Sequence, residues 1–370
     1  MQLPIDIKAL IDETTNIKTA RDTQISLSLY FDQAAPNDLV AHMRNSFASA
    51  SASVRMVMSY LDSSFVPRSG DDFAIIVAGG SAVVGPAAAA IRGMGVPVVV
   101  VTKQPEAVKA AAAASGYDIP EGDVVAPALE QGLGQAIELN DEALAELDER
   151  MGSWIVSVCH EKRLAMAIAF PFMRRALARD AVQATSLQNA GIGLVPLLAG
   201  ADLPVMTLNQ AKMVLQIAAA YGQEMDKNRA KELACVVGSA YFCRVVAREL
   251  IELVPVLGVV IRPTVAYGGT SAVGYAAIEY FEGGQDAAGV MNVASKASEV
   301  GNKVVNKVRS QGFGVVPEIL DKVQGKAKDL AEYIPVAQEK VQEYAPKVMS
   351  VVNDLVDTVA SQANATGKSA

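Results

Sequence analysis

Five short runs of mainly apolar residues mark the first third of the chain: ISLSLYF (Ile25 to Phe31), VRMVMSYL (Val54 to Leu61), FAIIVAG (Phe73 to Gly79), VPVVVVT (Val96 to Thr102) and DVVAP (Asp123 to Pro127). Each is bounded by turn-forming residues and reads as a strand. The third and fourth are apolar throughout instead of alternating, the pattern of strands covered on both faces. Between the runs the pattern becomes helical, from Ala35, from Gly85 and from Pro105. Alternating strand and helix predict a parallel sheet with right-handed crossovers. The expected fold is thus α/β over residues 22–135, a small three-layer domain preceded by an N-terminal helix or arm at 1–21.

Beyond residue 140 the strand pattern stops. Helices punctuated by Pro and Gly are expected over 140–284, starting at Asn140, around Ser157, near Asp180, at Asp202, near Asp226 and around Arg262. This second region is poor in charge and reads as an all-α helical bundle. Its longest uncharged span lies between Asp180 and Asp202 and carries polar residues and an internal proline. Another, Pro263 to Ile278, is shorter than the ~20 apolar residues a spanning helix needs. Neither predicts a clean transmembrane helix. Residues 285–370 change character again: apolar positions such as Val316, Ile319, Val323 and Leu330 recur at intervals of three and four among Lys, Glu, Asp and Gln. They predict an amphipathic helical tail, interrupted at Pro317, Pro335 and Pro346 and disordered at its end. Its mixed charge lacks the basic bias of a helix that binds anionic lipid, so a self-packing stalk is favoured over a membrane-binding or partner-binding arm.

Composition narrows the functional classes. The 370 residues are 51% hydrophobic but only 5% aromatic, so the core is built mainly from small aliphatic side chains. A net charge of -8 argues against general nucleic-acid affinity, which needs clustered Lys and Arg. Three cysteines, Cys159, Cys235 and Cys243, predict no disulfide framework and favour a reducing cytoplasm. The N-terminus lacks the pattern of a cleaved signal peptide. No zinc spacing is present. Cys159 and His160 are adjacent and point apart, so they do not form a nucleophile and base.

GSAVVGPA (Gly80 to Ala87) nearly matches a phosphate-binding loop, but Pro86 stands where the lysine belongs and Ala87 where the metal-binding hydroxyl belongs. Pro86 instead suits the first turn of a helix. A dinucleotide-binding reading fails on glycine spacing and on Thr102 and Lys103, which replace an acidic residue at the end of the next strand. If a nucleotide binds at all, Gly79, Gly80, Ser81, Thr102 and Lys103 are its candidate contacts. No cofactor or metal is expected.

In wider frame, the order of elements resembles an Era-like GTPase domain shortened in its first half. YLDSSF holds Asp62 to Phe65, similar to a D-x-x-G element without its glycine; Thr102 and Lys103 match the guanine-reading N/T-K-x-D motif, with Pro105 in place of its Asp. The first strand-to-helix junction, FDQAAPND, carries Asp32 and Asp38 where such a domain keeps its phosphate loop. The helical region, over roughly residues 185–282, resembles the YcjF-type domain of unknown function 697, found in bacterial inner-membrane proteins and after some Era-like GTPases. Asp202, Pro204, Gln210, Met213, Tyr221 and Gly222 carry the likeness in one block, and Leu250, Pro255, Gly258, Gly274, Tyr280 and Phe281 in another. The resemblance implies a helical module, often membrane-associated, without an agreed activity; this chain lacks the paired spanning helices of inner-membrane members. Gln210 itself reads as a buried amide tying two helices together.

Together these features imply a non-catalytic scaffold with a pseudo-GTPase domain, cytoplasmic or peripheral to an inner membrane, for which a membrane surface or a protein partner reached through the tail, and an oligomer, remain open alternatives to a self-packing stalk. The alternatives are a nucleotide-binding switch or weak GTPase using a non-standard loop, and a peripheral lipid-binding protein.

Overall fold

The apolar runs form the five strands of one parallel sheet in a computed structural model that describes residues 7–49, 51, 53–62, 64–127, 137–194, 202–223 and 258–283. The strands are β1 (Ile25–Phe31), β2 (Val54–Tyr60), β3 (Phe73–Ala78), β4 (Val98–Thr102) and β5 (Val124–Val125). Their order is β2-β1-β3-β4-β5, and all neighbours are parallel. The fourth strand starts later than its apolar run because Pro97 has no amide hydrogen to give the ladder; its carbonyl still accepts from Ala74 N at 2.8 Å. The helix expected near Asp226, Leu250 and Pro255 of the proposed likeness, and the tail at 285–370 lie outside the described residues.

Four helices accompany the strands: α1 (Ile7–Arg21), α2 (Asn37–Ser46), α3 (Val84–Gly93) and α4 (Pro105–Ala114). Successive strand side chains leave on opposite faces, and the apolar residues divide accordingly. Leu27, Leu29, Phe31, Ile75, Val77, Val99 and Val101 share one core with Leu39 and Met43 of α2. Tyr30, Ile76, Ala78, Val98 and Val100 share another with Ile91 of α3 and Val108 of α4. Both faces of β3 and β4 are therefore buried, which explains their unbroken apolar runs.

The chain divides into two compact units: Thr15–Asp180 with Ala220–Gly222, and Met1–Thr14, Ala181–Ala219 and Gln223–Ala370. The boundary expected at 135–140 falls inside the unit that holds the sheet. There α5 (Asp141–Val158), capped by Asn140 Oδ1 accepting from Ala143 N at 2.8 Å, places Leu147, Met151 and Ile155 in the core with Phe73. α6 (Arg163–Ala169) adds Met166, and the first half of α7 (Met173–Leu194) adds Met173 and Leu177. No helix begins around Ser157 or near Asp180: α5 runs through the first position and α7 through the second. The breaks occur instead between α5 and α6 and at Phe170, Pro171 and Phe172.

The other unit contains the second half of α7, α8 (Asp202–Ala220) up to Ala219, and α9 (Gly258–Glu282). α8 starts as expected, with Pro204 in its first turn, while Arg262 lies one turn inside α9 instead of at its start. Gln210, Met213 and Ile217 form one buried face of α8. The helix stops at Tyr221 and Gly222: Gly222 has φ of 76°, and Gln223 N donates back to Ala218 O at 3.0 Å, a Schellman-type end that favours glycine. Among the described residues no helix is long and apolar enough to cross a membrane.

Gly274 sets how closely α9 approaches α7. A Cβ there would lie 2.3 Å from Val182 Cγ2 and 3.0 Å from Val182 Cβ. Helix propensity alone favours Ala over Gly by about 1 kcal/mol, but β-branched Val182 cannot rotate freely out of the way. Gly274→Ala is expected to destabilise the protein by about 1–3 kcal/mol, measured by chemical denaturation, and Val182→Ala in the same chain should restore part of the loss.

Candidate functional site

The order of the sheet reverses between β1 and β3: from β1 the chain moves outward to β2 and then returns to the other side of β1. In open α/β sheets the carboxyl ends of the strands at such a reversal form the usual ligand crevice. Here two loops meet there, residues 32–36 after β1 and residues 79–83 after β3. The candidate contacts Gly79, Gly80, Ser81, Thr102 and Lys103 all lie along this edge of the sheet.

Their polar groups already have partners. The Asp32 carboxylate, 1% exposed, accepts from Gly79 N at 2.9 Å and Ser81 N at 3.2 Å through Oδ2, and from Ser81 Oγ at 2.5 Å and Ala34 N at 3.1 Å through Oδ1. Two backbone amides and a hydroxyl of a glycine-rich loop, converging on one anion, make the arrangement that loops of this type offer to phosphate. In this protein the anion is a side chain of the neighbouring loop. Burial works to raise the carboxyl of Asp32, but the bonds from Ser81, Gly79 and Ala34 outweigh it and hold the group below its ordinary range.

Two glycines give the loop its path. A Cβ on Gly79 would lie 1.8 Å from Ala34 O, so the loops approach at backbone distance, and Gly80 has φ of 96°, which favours glycine. Thr102, fully buried, uses its Oγ1 to accept from Gln104 N at 3.1 Å before the start of α4. Lys103 Nζ lies 2.6 Å from Asp38 Oδ2, and this bond holds the Asp38 carboxyl below its usual range. Asp62 is likewise committed to its own turn, accepting from Ser64 N at 2.8 Å and Ser64 Oγ at 2.5 Å. The sequence places Asp32 and Asp38 where a GTPase-like domain would keep its phosphate loop. The structure makes them the internal partners of the glycine loop and of Lys103.

Other polar clusters in the sheet unit do structural work. His42 Nε2 contacts Asp148 Oδ1 at 2.7 Å and Ser46 Oγ at 3.3 Å. A catalytic relay needs the acid and the hydroxyl on opposite ring nitrogens, and both are on Nε2 here; the contact joins α2 to α5. At the opposite end of the sheet Asp71 accepts from Ser26 Oγ and Ser28 Oγ, while Asp72 accepts from Ser26 N at 2.8 Å and pairs with Lys162 Nζ at 2.6 Å. The Cys159 thiol is pushed up to about 12 by burial and by the nearby Asp72 charge, so it stays protonated and weakly nucleophilic at neutral pH. Among the described residues no group of three His, Cys, Asp or Glu side chains is placed to hold a metal ion.

The helical unit has a buried polar seam. Thr270 Oγ1 accepts from Gln210 Nε2 and from Asn189 Nδ2, each at 2.9 Å, Asn209 Nδ2 donates to Asn189 Oδ1 at 2.9 Å, and Ser271 Oγ bonds Ser186 Oγ at 2.9 Å. Gln210 is thus the buried amide expected, tying α8 to α9, although its Oε1 has no partner among the described residues. Gly258 is the first residue of α9, and Tyr280 and Phe281 meet edge to face near its end with ring centres 5.1 Å apart. Compared with family models, curated proteins and solved structures, the chain matches none.

Proposed function

We propose that this chain is a non-catalytic scaffold acting at a membrane surface or within an assembly. In this reading a three-layer, GTPase-derived domain has lost its chemistry and is joined to a YcjF-like helical bundle and an amphipathic tail. The observation that carries the proposal is the Asp32 carboxylate on the amides of Gly79 and Ser81. An incoming phosphate would have to displace a buried, four-bonded anion and then sit beside it. Lys103, which with Thr102 matches a guanine-reading motif, is bound to Asp38. The all-parallel order β2-β1-β3-β4-β5 is that of a doubly-wound α/β sheet, an architecture compatible with a GTPase-like domain shortened in its first half.

A second reading, a nucleotide switch with a non-standard loop, draws on position: the loops lie at the reversal point where such sheets bind ligands. It requires Asp32 to leave the cradle. Titration of the full chain with fluorescent GTP and ATP analogues, with and without Mg²⁺, separates the two. The scaffold reading expects no saturable signal in the micromolar range, and saturation there would replace it by the switch. Its membrane branch is tested by flotation with vesicles of neutral and anionic lipid: a full chain that stays at the bottom in both leaves assembly as the scaffold's role.

A further inference from the structure

β2 ends the sheet on one side, and no strand pairs with its outer edge among the described residues. Ser53 C=O accepts from Ile25 N at 3.0 Å and Leu61 N donates to Phe31 C=O at 2.8 Å. Alternate residues therefore turn their amide groups toward β1, and Met56, Met58 and Tyr60 turn theirs outward. Natural edge strands are guarded by shortness, charge, proline or bulges. β5, at the other end, is two residues long. β2 instead keeps seven residues in unbroken register, VRMVMSY, with Arg55 as its only charge. Val54 and Met56 pack against the sheet core, but Met58 and Tyr60, on the same face, are 37% and 47% exposed.

We propose that β2 is a self-association edge, pairing antiparallel with β2 of a second copy of this chain about a two-fold axis at Val57. The sequence is complementary to itself in this register. Met56 lies opposite Met58 of the second copy and Val54 opposite Tyr60, so each exposed side chain gains a neighbour already seated on a core. The outward amide groups of Met56 and Met58 fall opposite one another, as a hydrogen-bonded pair requires. Arg55 meets Ser59. The two Arg55 charges stand four residues apart, about 13 Å along the strands, beyond the ~8 Å screening length at physiological salt. Centring the axis on Met56 brings the arginines to about 7 Å and leaves only residues 54–58 paired; centring it on Met58 leaves only residues 56–60. Symmetric pairing of like edges also closes the assembly at two copies. Because the paired strip is short, association is concentration-dependent.

Sedimentation of the full chain over a range of concentrations tests the proposal, with Met58→Lys as the weakening variant. The expected results are a reversible dimer and a dissociation constant raised about tenfold or more by Met58→Lys, with an unchanged circular dichroism spectrum because Met58 is an exposed side chain. Val57→Cys is expected to cross-link under mild oxidation, because directly opposed, non-hydrogen-bonded residues have Cα atoms about 4.5 Å apart, within disulfide reach. Ser59→Cys, opposed to Arg55, should add no cross-link beyond that of the unaltered chain. A chain that stays monomeric, a dimer indifferent to Met58→Lys, or equal cross-linking through Ser59→Cys each overturns the pairing.

Discussion

Gly79→Ala is expected to cause one of the largest losses of stability that a single methyl group can cause in this protein. The added carbon would lie 1.8 Å from Ala34 O, 2.2 Å from Ala34 C and 2.7 Å from Ala35 N. These are backbone atoms, so no rotamer change relieves the overlap. The loop after β1 must move as a whole, and it carries Asp32, whose carboxylate is bonded to Gly79 N. Overpacking a rigid site and breaking its hydrogen bonds together cost about 3 kcal/mol or more. For a unit of this size the melting temperature falls by about 6–12 °C, measured by calorimetry or circular dichroism. Gly80→Ala is the internal comparison: its φ of 96° disfavours a side chain, but the nearest atom to the new carbon is 3.8 Å away. That change should cost only about 1–2 kcal/mol of backbone strain. If the two variants melt together, close approach of the loops does not set the stability of this edge.

The contrast between the two glycines shows what a single sequence can convey. Unbroken apolar runs such as FAIIVA and VVVVT announce strands buried on both faces, because burial is written directly into residue type. Asn140 announces its helix by capping it, a contact within four residues. Ser157 and Asp180 misled because a polar residue in a helix resembles one at its start, and only Pro171 marks the real break before α7. In the sequence Gly79 reads as a candidate nucleotide contact and Asp32 as an acid standing where a phosphate loop belongs. Their actual relation spans 47 positions and depends on β1 and β3 lying side by side, which no local pattern states. For the same reason the sequence places Gly79, Gly80, Ser81, Thr102 and Lys103 at strand ends but does not state that Asp32 fills the glycine loop among them. The β2 edge was legible as a strand, but its place at the margin of the sheet follows from strand order alone.

Asp32→Ala is expected to destabilise the protein by about 3 kcal/mol at neutral pH, because it leaves several buried donors unsatisfied, and, in doing so, to expose an anion site. Removing the carboxylate leaves Gly79 N, Ser81 N and Ser81 Oγ turned toward the space it filled. Inorganic phosphate or sulfate is the natural replacement, since ligand that binds only the folded chain raises its stability in proportion to the logarithm of concentration. The melting temperature of the variant should therefore climb with phosphate more steeply than that of the unaltered chain at matched ionic strength. The pH dependence supplies an independent sign. The folded protein holds Asp32 below its ordinary range, so the ionised group contributes stability above the unfolded value of about 3.9; that contribution is lost as the pH falls through the lower folded value. The difference in stability between the unaltered chain and Asp32→Ala should accordingly narrow in acid below about pH 4 and hold constant from pH 5 to 8. Asp32→Asn keeps the size but turns an NH₂ group toward one set of donors, so it should lose stability without gaining a phosphate response. Equal phosphate responses in all three proteins would mean that the loop amides are not an anion cradle, and the case for Asp32 as a built-in substitute for phosphate would fall with them.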